Sequence, residues 1–362
     1  MGGPARAKRG GGMGVYRETK TRGRKEVLFY EKTGKEGRVR CRVCPQLCSI
    51  DPGATGVCGV RTNVDGVLYA TNYGACASMA LDPTEKKPLY HFYPGSTLFS
   101  VGSNGCNLSC GFCQNWELSQ GKVETQYLEP GDLVARAREV AESEPSCIGL
   151  AYTYSEPFMW YEYVLEAARL ARKKGLLNVL VTNGYINPEP LDQLLPYVDA
   201  VNIDVKAFTG SFYQEICGGR LRPVLKTVEK AYRNGCHVEV TNLVIPGLND
   251  SKEEISRLVE WLASLGPQIP LHFSRYFPSY RFNLPPTPLE TLYEAREIAL
   301  RRLRYVYLGN VRAEGTGDTT CPKCNRVVIS RNGYGVEAQG LAEGKCTMCG
   351  TEIDLVGRPM TR

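Results

Sequence analysis

The chain has 362 residues, 43% of them hydrophobic and 23% charged, which fits two or three folded domains and excludes a largely disordered protein. No apolar run approaches the roughly 18 residues of a spanning helix, and no apolar segment follows the basic N-terminus as a secretory signal requires, so no membrane partner and a cytoplasmic location are expected. The net charge of +6 is unevenly placed: residues 1–42 hold 13 Lys/Arg against 4 Glu, and the remainder holds 31 basic and 34 acidic residues.

Residues 1–40 read as a basic, disordered tail, rich in glycine over its first 25 residues. A solvated arm is the simpler reading, and nucleic-acid binding the alternative. Fifteen cysteines without an export signal point to metal or redox chemistry rather than a disulfide framework. Eleven of them form three groups. The first, Cys41, Cys44, Cys48 and Cys58, lies in a Cys-rich segment over 41–95, where Gly53, Gly56 and Gly59 let the chain return on itself. An auxiliary [4Fe–4S] cluster and a zinc site both suit it, and the three-plus-one spacing leans towards iron–sulfur.

From 96 to 312, strand and helix patterns alternate. Strands are expected at Thr97–Ser103, Ile148–Tyr154, Asn178–Thr182, Ala200–Val205, His237–Ile245 and Leu271–Phe277, with a last one at Tyr305–Val311. Helices are expected near Asp132–Glu142, Phe158–Lys174, Pro190–Pro196, Pro223–Asn234, Lys252–Leu265 and Leu289–Arg302. Repeated βα units imply parallel strands with right-handed crossovers. The expected fold class is α/β: a partial (β/α)6 barrel with an N-terminal Cys-rich extension and a C-terminal zinc-ribbon module. Functional groups of such folds gather at the C-terminal strand ends. Cys106, Glu156, Asn183, Asp204 and Pro246–Gly247 all lie there.

The second cysteine group, Cys106, Cys110 and Cys113, sits in the glycine-containing loop Gly105-Cys-Asn-Leu-Ser-Cys-Gly-Phe-Cys113. Three thiolates within eight residues can hold three irons of a [4Fe–4S] cube and leave the fourth open. A zinc site completed by a distant residue is the alternative.

This loop, with Phe112 before its last cysteine, resembles the signature of the radical S-adenosylmethionine (SAM) superfamily. Ala80–Ser96, Cys113–Glu117 and Thr153–Pro157 further resemble the AmmeMemoRadiSam-system radical SAM enzymes, a subfamily related to pyruvate formate-lyase activating enzymes. The resemblance implies that SAM binds the open iron and is reductively cleaved to a 5′-deoxyadenosyl radical, which abstracts hydrogen from a substrate. It also implies roles for individual residues. Glu156 would accept from the SAM ammonium, Asn183 would face the ribose or methionine end, and Lys206 would pair with the SAM carboxylate. Asp204 would meet a cation or polar ligand group, and Val244, Ile245 and Gly247 would line the adenine. An internal ion-pair network is the alternative for Glu156, Asp204 and Lys206. His272 is a candidate substrate contact, or else a core histidine. Cys217 is a candidate hydrogen donor or nucleophile, or else a small buried apolar residue. The resemblance also implies association with Memo-like and AMMECR-like proteins and an electron donor such as ferredoxin or flavodoxin.

The third group, Cys321, Cys324, Cys346 and Cys349, forms two C-x2-C knuckles over 313–362. That is the pattern of a four-thiolate zinc ribbon, with a rubredoxin-like single iron as the alternative. The function expected is that of a radical SAM enzyme. A glycyl-radical-enzyme activase, a nucleic-acid-binding metalloprotein and a two-cluster electron carrier are the competing readings.

Overall fold

The computed structural model describes residues 23–34 and 36–361. Its centre is a single sheet of eight strands in chain order: β1 (Ser78–Pro83), β2 (Thr97–Gly102), β3 (Cys147–Tyr152), β4 (Leu177–Thr182), β5 (Ala200–Asp204), β6 (His237–Val244), β7 (Leu271–Arg275) and β8 (Val306–Gly309). β1 runs antiparallel to β2, and every later pair is parallel. The strand order never reverses and the two edge strands do not pair with each other, so the sheet is an open, singly wound barrel. The crossovers carry helices α1 (Pro130–Ser143), α2 (Tyr161–Lys173), α3 (Pro188–Leu194), α4 (Leu221–Arg233), α5 (Lys252–Leu265) and α6 (Leu289–Leu300). Local chemistry sets their ends. Ser251 caps α5, its hydroxyl accepting from the Glu254 amide. Arg172 and Lys173 occupy the last turn of α2, and Gly175 turns the chain at φ +74°. Val224, Val228 and Ala231 give α4 a buried stripe at helical spacing. Among the described residues no helix is long and apolar enough to cross a membrane.

Two differences from the sequence reading concern the first hundred residues. Residues 23–34 and 36–40 are not tail. Lys25–Glu26 pairs with β-strand Val67–Ala70, and Tyr30–Lys32 pairs with Val39–Cys41, because Val27 and Val39 are buried in the small sheets that carry the first cysteine group. The rest of the expected tail, residues 1–22, lies outside the described residues, as does its proposed nucleic-acid role. Ser78–Pro83, assigned by sequence to the Cys-rich segment, instead extends the barrel sheet as its antiparallel edge.

The segment after β1 folds under the N-terminal strand ends and closes the barrel floor. The Asn202 amide donates to the Pro88 carbonyl at 2.8 Å, and the His91 backbone N–H donates to the buried Glu239 carboxylate at 2.7 Å. The C-terminal module backs this floor. Its strands are Thr319–Thr320, Val327–Asn332 and Gly335–Glu337, followed by the hairpin Leu341–Ala342 and Lys345–Cys346. The four cysteine sulfurs lie within 4.8 Å of one another, with Cys321–Cys349 at 3.5 Å and Cys324–Cys346 at 3.6 Å. Zinc bonded at about 2.3 Å to four sulfurs spaces them about 3.8 Å apart, so the quartet fits a zinc ribbon. Asn325 and Gly350, each directly after a knuckle, take φ +58° and +69°.

Candidate active site

The loop after β2 brings Cys106, Cys110 and Cys113 to the C-terminal mouth of the barrel, where all three line an open cavity. The loop is fixed from several sides. Gly105 N donates to Leu118 O at 2.9 Å, Ser109 N to Cys217 O at 2.8 Å, and Arg281 N to Gly111 O at 2.9 Å. Ser119 Oγ lies 3.1 Å from Cys113 Sγ. The thiols are thus pre-positioned on one side of a cavity rather than scattered.

The same cavity is lined by Glu156, Asn183, Asp204 and Lys206, each at or just past a strand end. Glu156 is buried and holds three internal donors: Phe158 N at 3.0 Å and Thr182 Oγ1 at 2.6 Å on one oxygen, Asn183 N at 2.9 Å on the other. Burial nevertheless pushes its carboxyl up to about 7. The Asn183 side-chain amide donates to Asn107 Oδ1 at 2.9 Å and to Cys106 Sγ at 3.5 Å. Lys206 Nζ lies 2.9 Å from Asp204 Oδ2. Burial works against its charge, but the Asp204 carboxylate holds the ammonium well above the usual lysine value. The internal ion pair weighed as an alternative is therefore present, and it faces the cavity.

Other sequence candidates lie elsewhere. Val244 and Ile245 are fully buried and do not line the cavity; Thr241 and Leu243 do. Strand alternation accounts for Val244: residues 241 and 243 share the inward face of β6, and 244 points the other way. Ile245 lies past the strand end, in a turn where its N–H donates to Asn249 Oδ1 at 2.6 Å. Gly247 belongs to a turn beyond β6, where its N–H donates to Asp250 Oδ1 at 2.9 Å. His272 is on the inward face with Ser274, but one pleat deeper. Ser274 lines the cavity, whereas His272 Nε2 lies 2.6 Å from Glu239 Oε2 and its ring stacks on Tyr307. His272 is thus part of the barrel floor. Cys217 ends a π-helical turn, is fully buried, and packs against Cys110 behind the cavity wall, not on it.

The residues that sequence reasoning did not assign come mostly from the 80–96 segment. The buried Asp82 carboxylate accepts from Lys86 Nζ and Lys87 Nζ, each at 2.7 Å, and from the Tyr154 hydroxyl at 2.5 Å. Tyr154 lines the cavity at φ +72°, a strained value for a bulky residue, and the Lys87 ammonium lies 4.5 Å from its ring centroid. Three charges in one run, Asp82, Lys86 and Lys87, were the available signal.

The Radical SAM superfamily model matches residues 100–262, the stretch that carries the cysteine loop and Glu156, Asn183, Asp204 and Lys206. An uncharacterized protein of Methanocaldococcus jannaschii is 42% identical over 340 residues, covering 92% of this chain and 99% of that protein. The chain belongs to the radical SAM superfamily. The pyruvate formate-lyase-activating enzyme of Clostridium pasteurianum is 26% identical over 168 residues, 44% of this chain and 67% of that enzyme. Among solved structures, a radical SAM methyltransferase from Sphaerobacter thermophilus aligns at 16% identity with a TM-score of 0.48, covering 81% of this chain and 78% of that one.

Membership in the radical SAM superfamily implies a [4Fe–4S] cluster and SAM, and the residues present fit both. Three thiols line one cavity, no fourth cysteine lines it among the described residues, and the same cavity offers a carboxylate, an amide and an ammonium.

Proposed function

We propose that this radical SAM enzyme holds its cluster through Cys106, Cys110 and Cys113 and binds SAM between that cluster and the strand ends carrying Glu156, Asn183, Asp204 and Lys206. The observation that carries this is the single cavity lined by all seven residues. When bound, the cluster and SAM supply one-electron cleavage of a sulfonium bond and a 5′-deoxyadenosyl radical able to abstract hydrogen from a substrate. The chain's own residues bind and orient. Lys206 offers its charge to the SAM carboxylate, and Glu156 and Asn183 shape the site for the ammonium and ribose. Tyr154, Thr241 and Ser274 wall off the interior from water, as a radical reaction requires. Pro88 and the floor beneath it leave the mouth at the C-terminal strand ends as the substrate's approach.

The finer assignment to the AmmeMemoRadiSam-system enzymes rests on Ala80–Ser96, Cys113–Glu117 and Thr153–Pro157. With it come Memo-like and AMMECR-like partners and a ferredoxin or flavodoxin electron donor. Zinc in the ribbon is supported by its close sulfur spacing. The test is anaerobic incubation of the reconstituted protein with SAM, a low-potential reductant and cell extract. Methionine and 5′-deoxyadenosine should form with the parent chain and not with Cys106→Ala, Cys110→Ala or Cys113→Ala. Product formation by any of the three variants would overturn the reading.

A further inference from the structure

Cys41, Cys44, Cys48 and Cys58 line a second, small cavity, separate from the first. Cys41 ends the strand Val39–Cys41, and a tight turn returns the chain so that Cys41 N donates to Cys48 O at 3.0 Å. Cys58 arrives from the loop before strand Arg61–Val64. Gly56 keeps the space open: a Cβ there would stand 3.1 Å from Ile50 Cδ1 and 3.5 Å from Cys48 Sγ.

Two observations say what the cavity holds. The first is sulfur spacing. The ribbon sulfurs all fall within 4.8 Å of one another, the spacing of four bonds to one small ion; the sulfurs of the N-terminal quartet do not, and they leave a void between them. A cubane sets four irons and four sulfides between its thiolates and so needs a wider cage. The second is Arg61. Its side chain is 1% exposed and lines the void. One nitrogen pairs with Glu162 Oε2 at 2.5 Å, but Nε and Nη2 have no hydrogen-bond partner among the described residues. Two orphaned, buried donors of a guanidinium call for an acceptor in the void, and an anionic one suits its charge. A cluster carried by four thiolates is anionic, and its sulfides accept N–H bonds.

We propose that Cys41, Cys44, Cys48 and Cys58 hold a second [4Fe–4S] cluster, fully ligated by protein and hydrogen-bonded by Arg61. With no open iron, it does not bind SAM. Its cage abuts the catalytic loop: a Cβ on Gly105 would stand 2.8 Å from the Cys58 carbonyl oxygen, and the Gln46 side-chain amide donates to Asn107 O at 2.9 Å. Asn107 itself lines the second cavity, and its Oδ1 accepts from the amide that also reaches Cys106 Sγ.

The experiment removes the first cluster and leaves the second. Full-length protein with Cys106, Cys110 and Cys113 all changed to Ala is reconstituted anaerobically, and its iron and zinc are counted. About four irons and one zinc per chain are expected, with an electron paramagnetic resonance signal on reduction that does not respond to SAM. Two zincs and no iron would overturn the proposal. Cys44→Ala and Cys48→Ala added together should then abolish the remaining iron while the ribbon zinc, retained, reports that the chain has folded; iron persisting in that variant would also overturn it. Because the catalytic cysteines are absent throughout, this outcome is independent of whether the parent protein cleaves SAM.

Discussion

The Lys206 ammonium stands 2.9 Å from the Asp204 carboxylate, two residues back along the end of β5, and both side chains face the cavity that receives Cys106, Cys110 and Cys113. Residues i and i+2 of an extended chain share a face, so the pair is a product of strand geometry as much as of charge. A cation already paired on one side can still offer donors to a second carboxylate, since an ammonium has three.

Lys206→Met removes that donor and leaves Asp204 facing the cavity unpaired. A charge-assisted hydrogen bond contributes roughly 1.5–3 kcal/mol. SAM affinity should therefore fall about tenfold or more, with iron content unchanged. Asp204→Asn frees Lys206 and should weaken SAM binding far less. Calorimetric titration beside an iron count checks both; equal, small effects would make the pair purely internal.

Glu156→Gln meets a different obstacle. The carboxylate accepts from Phe158 N, Thr182 Oγ1 and Asn183 N, and a glutamine must turn an NH₂ towards one of them. A buried donor facing a donor costs about 1–3 kcal/mol. The variant should lose thermal stability as well as SAM affinity, whereas a pure ligand contact would cost affinity alone. Melting curves with and without SAM separate the two.

His91 links the barrel floor to the ribbon and makes stability pH-dependent. Its Nδ1 lies 2.7 Å from the Asp354 carbonyl, which can only accept, so Nε2 accepts from the Tyr307 hydroxyl at 2.6 Å. Burial pushes its pKa down to about 4. The unfolded chain therefore binds a proton that the folded chain refuses between about pH 6.5 and 4. This contribution is complete above about pH 6.5 and is lost as pH falls towards 4, by about 3 kcal/mol in all. Thermal melts across that window should flatten in His91→Gln.

Gly95→Ala tests the same junction sterically. Gly95 sits at φ +79°, and a Cβ would run into the Met360 carbonyl oxygen. Alanine should cost about 1–3 kcal/mol and expose residues after 354 to limited proteolysis. Zinc chelation should produce the same proteolytic pattern, because the ribbon carries that strand of chain.

Periodicity made the parallel strands legible, and capping chemistry made the ends of α2 and α5 legible. Cysteine spacing separated the ribbon from the catalytic loop. What escaped was register and depth. β1 was missed because Ser78–Pro83 has no clean alternation and ends in proline, and nothing local says that it will pair antiparallel to β2. Val244 and His272 were placed on the right strands, but which face or pleat reaches a cavity depends on packing with β5 and β8. The Asp82, Lys87 and Tyr154 cluster joins residues up to 72 positions apart, a contact that no local pattern encodes.

The floor of the barrel has a consequence for how the protein reaches this state. His91 bonds to Asp354 across 263 residues. Tyr93 N donates to Val356 O at 2.7 Å, Val356 N to His91 O at 2.8 Å, and Met360 N to Pro94 O at 2.7 Å. Contacts so distant in sequence pay their loop-closure entropy late and form slowly. The parallel strands can assemble in order from β2 to β8 while the underside stays unlatched, and sealing then waits on the C-terminal segment that supplies the latch, whose four cysteines fit a zinc ion. Zinc uptake is therefore expected to set the pace of the final folding phase, and a refolding trace recorded with and without zinc should differ in its slowest step alone.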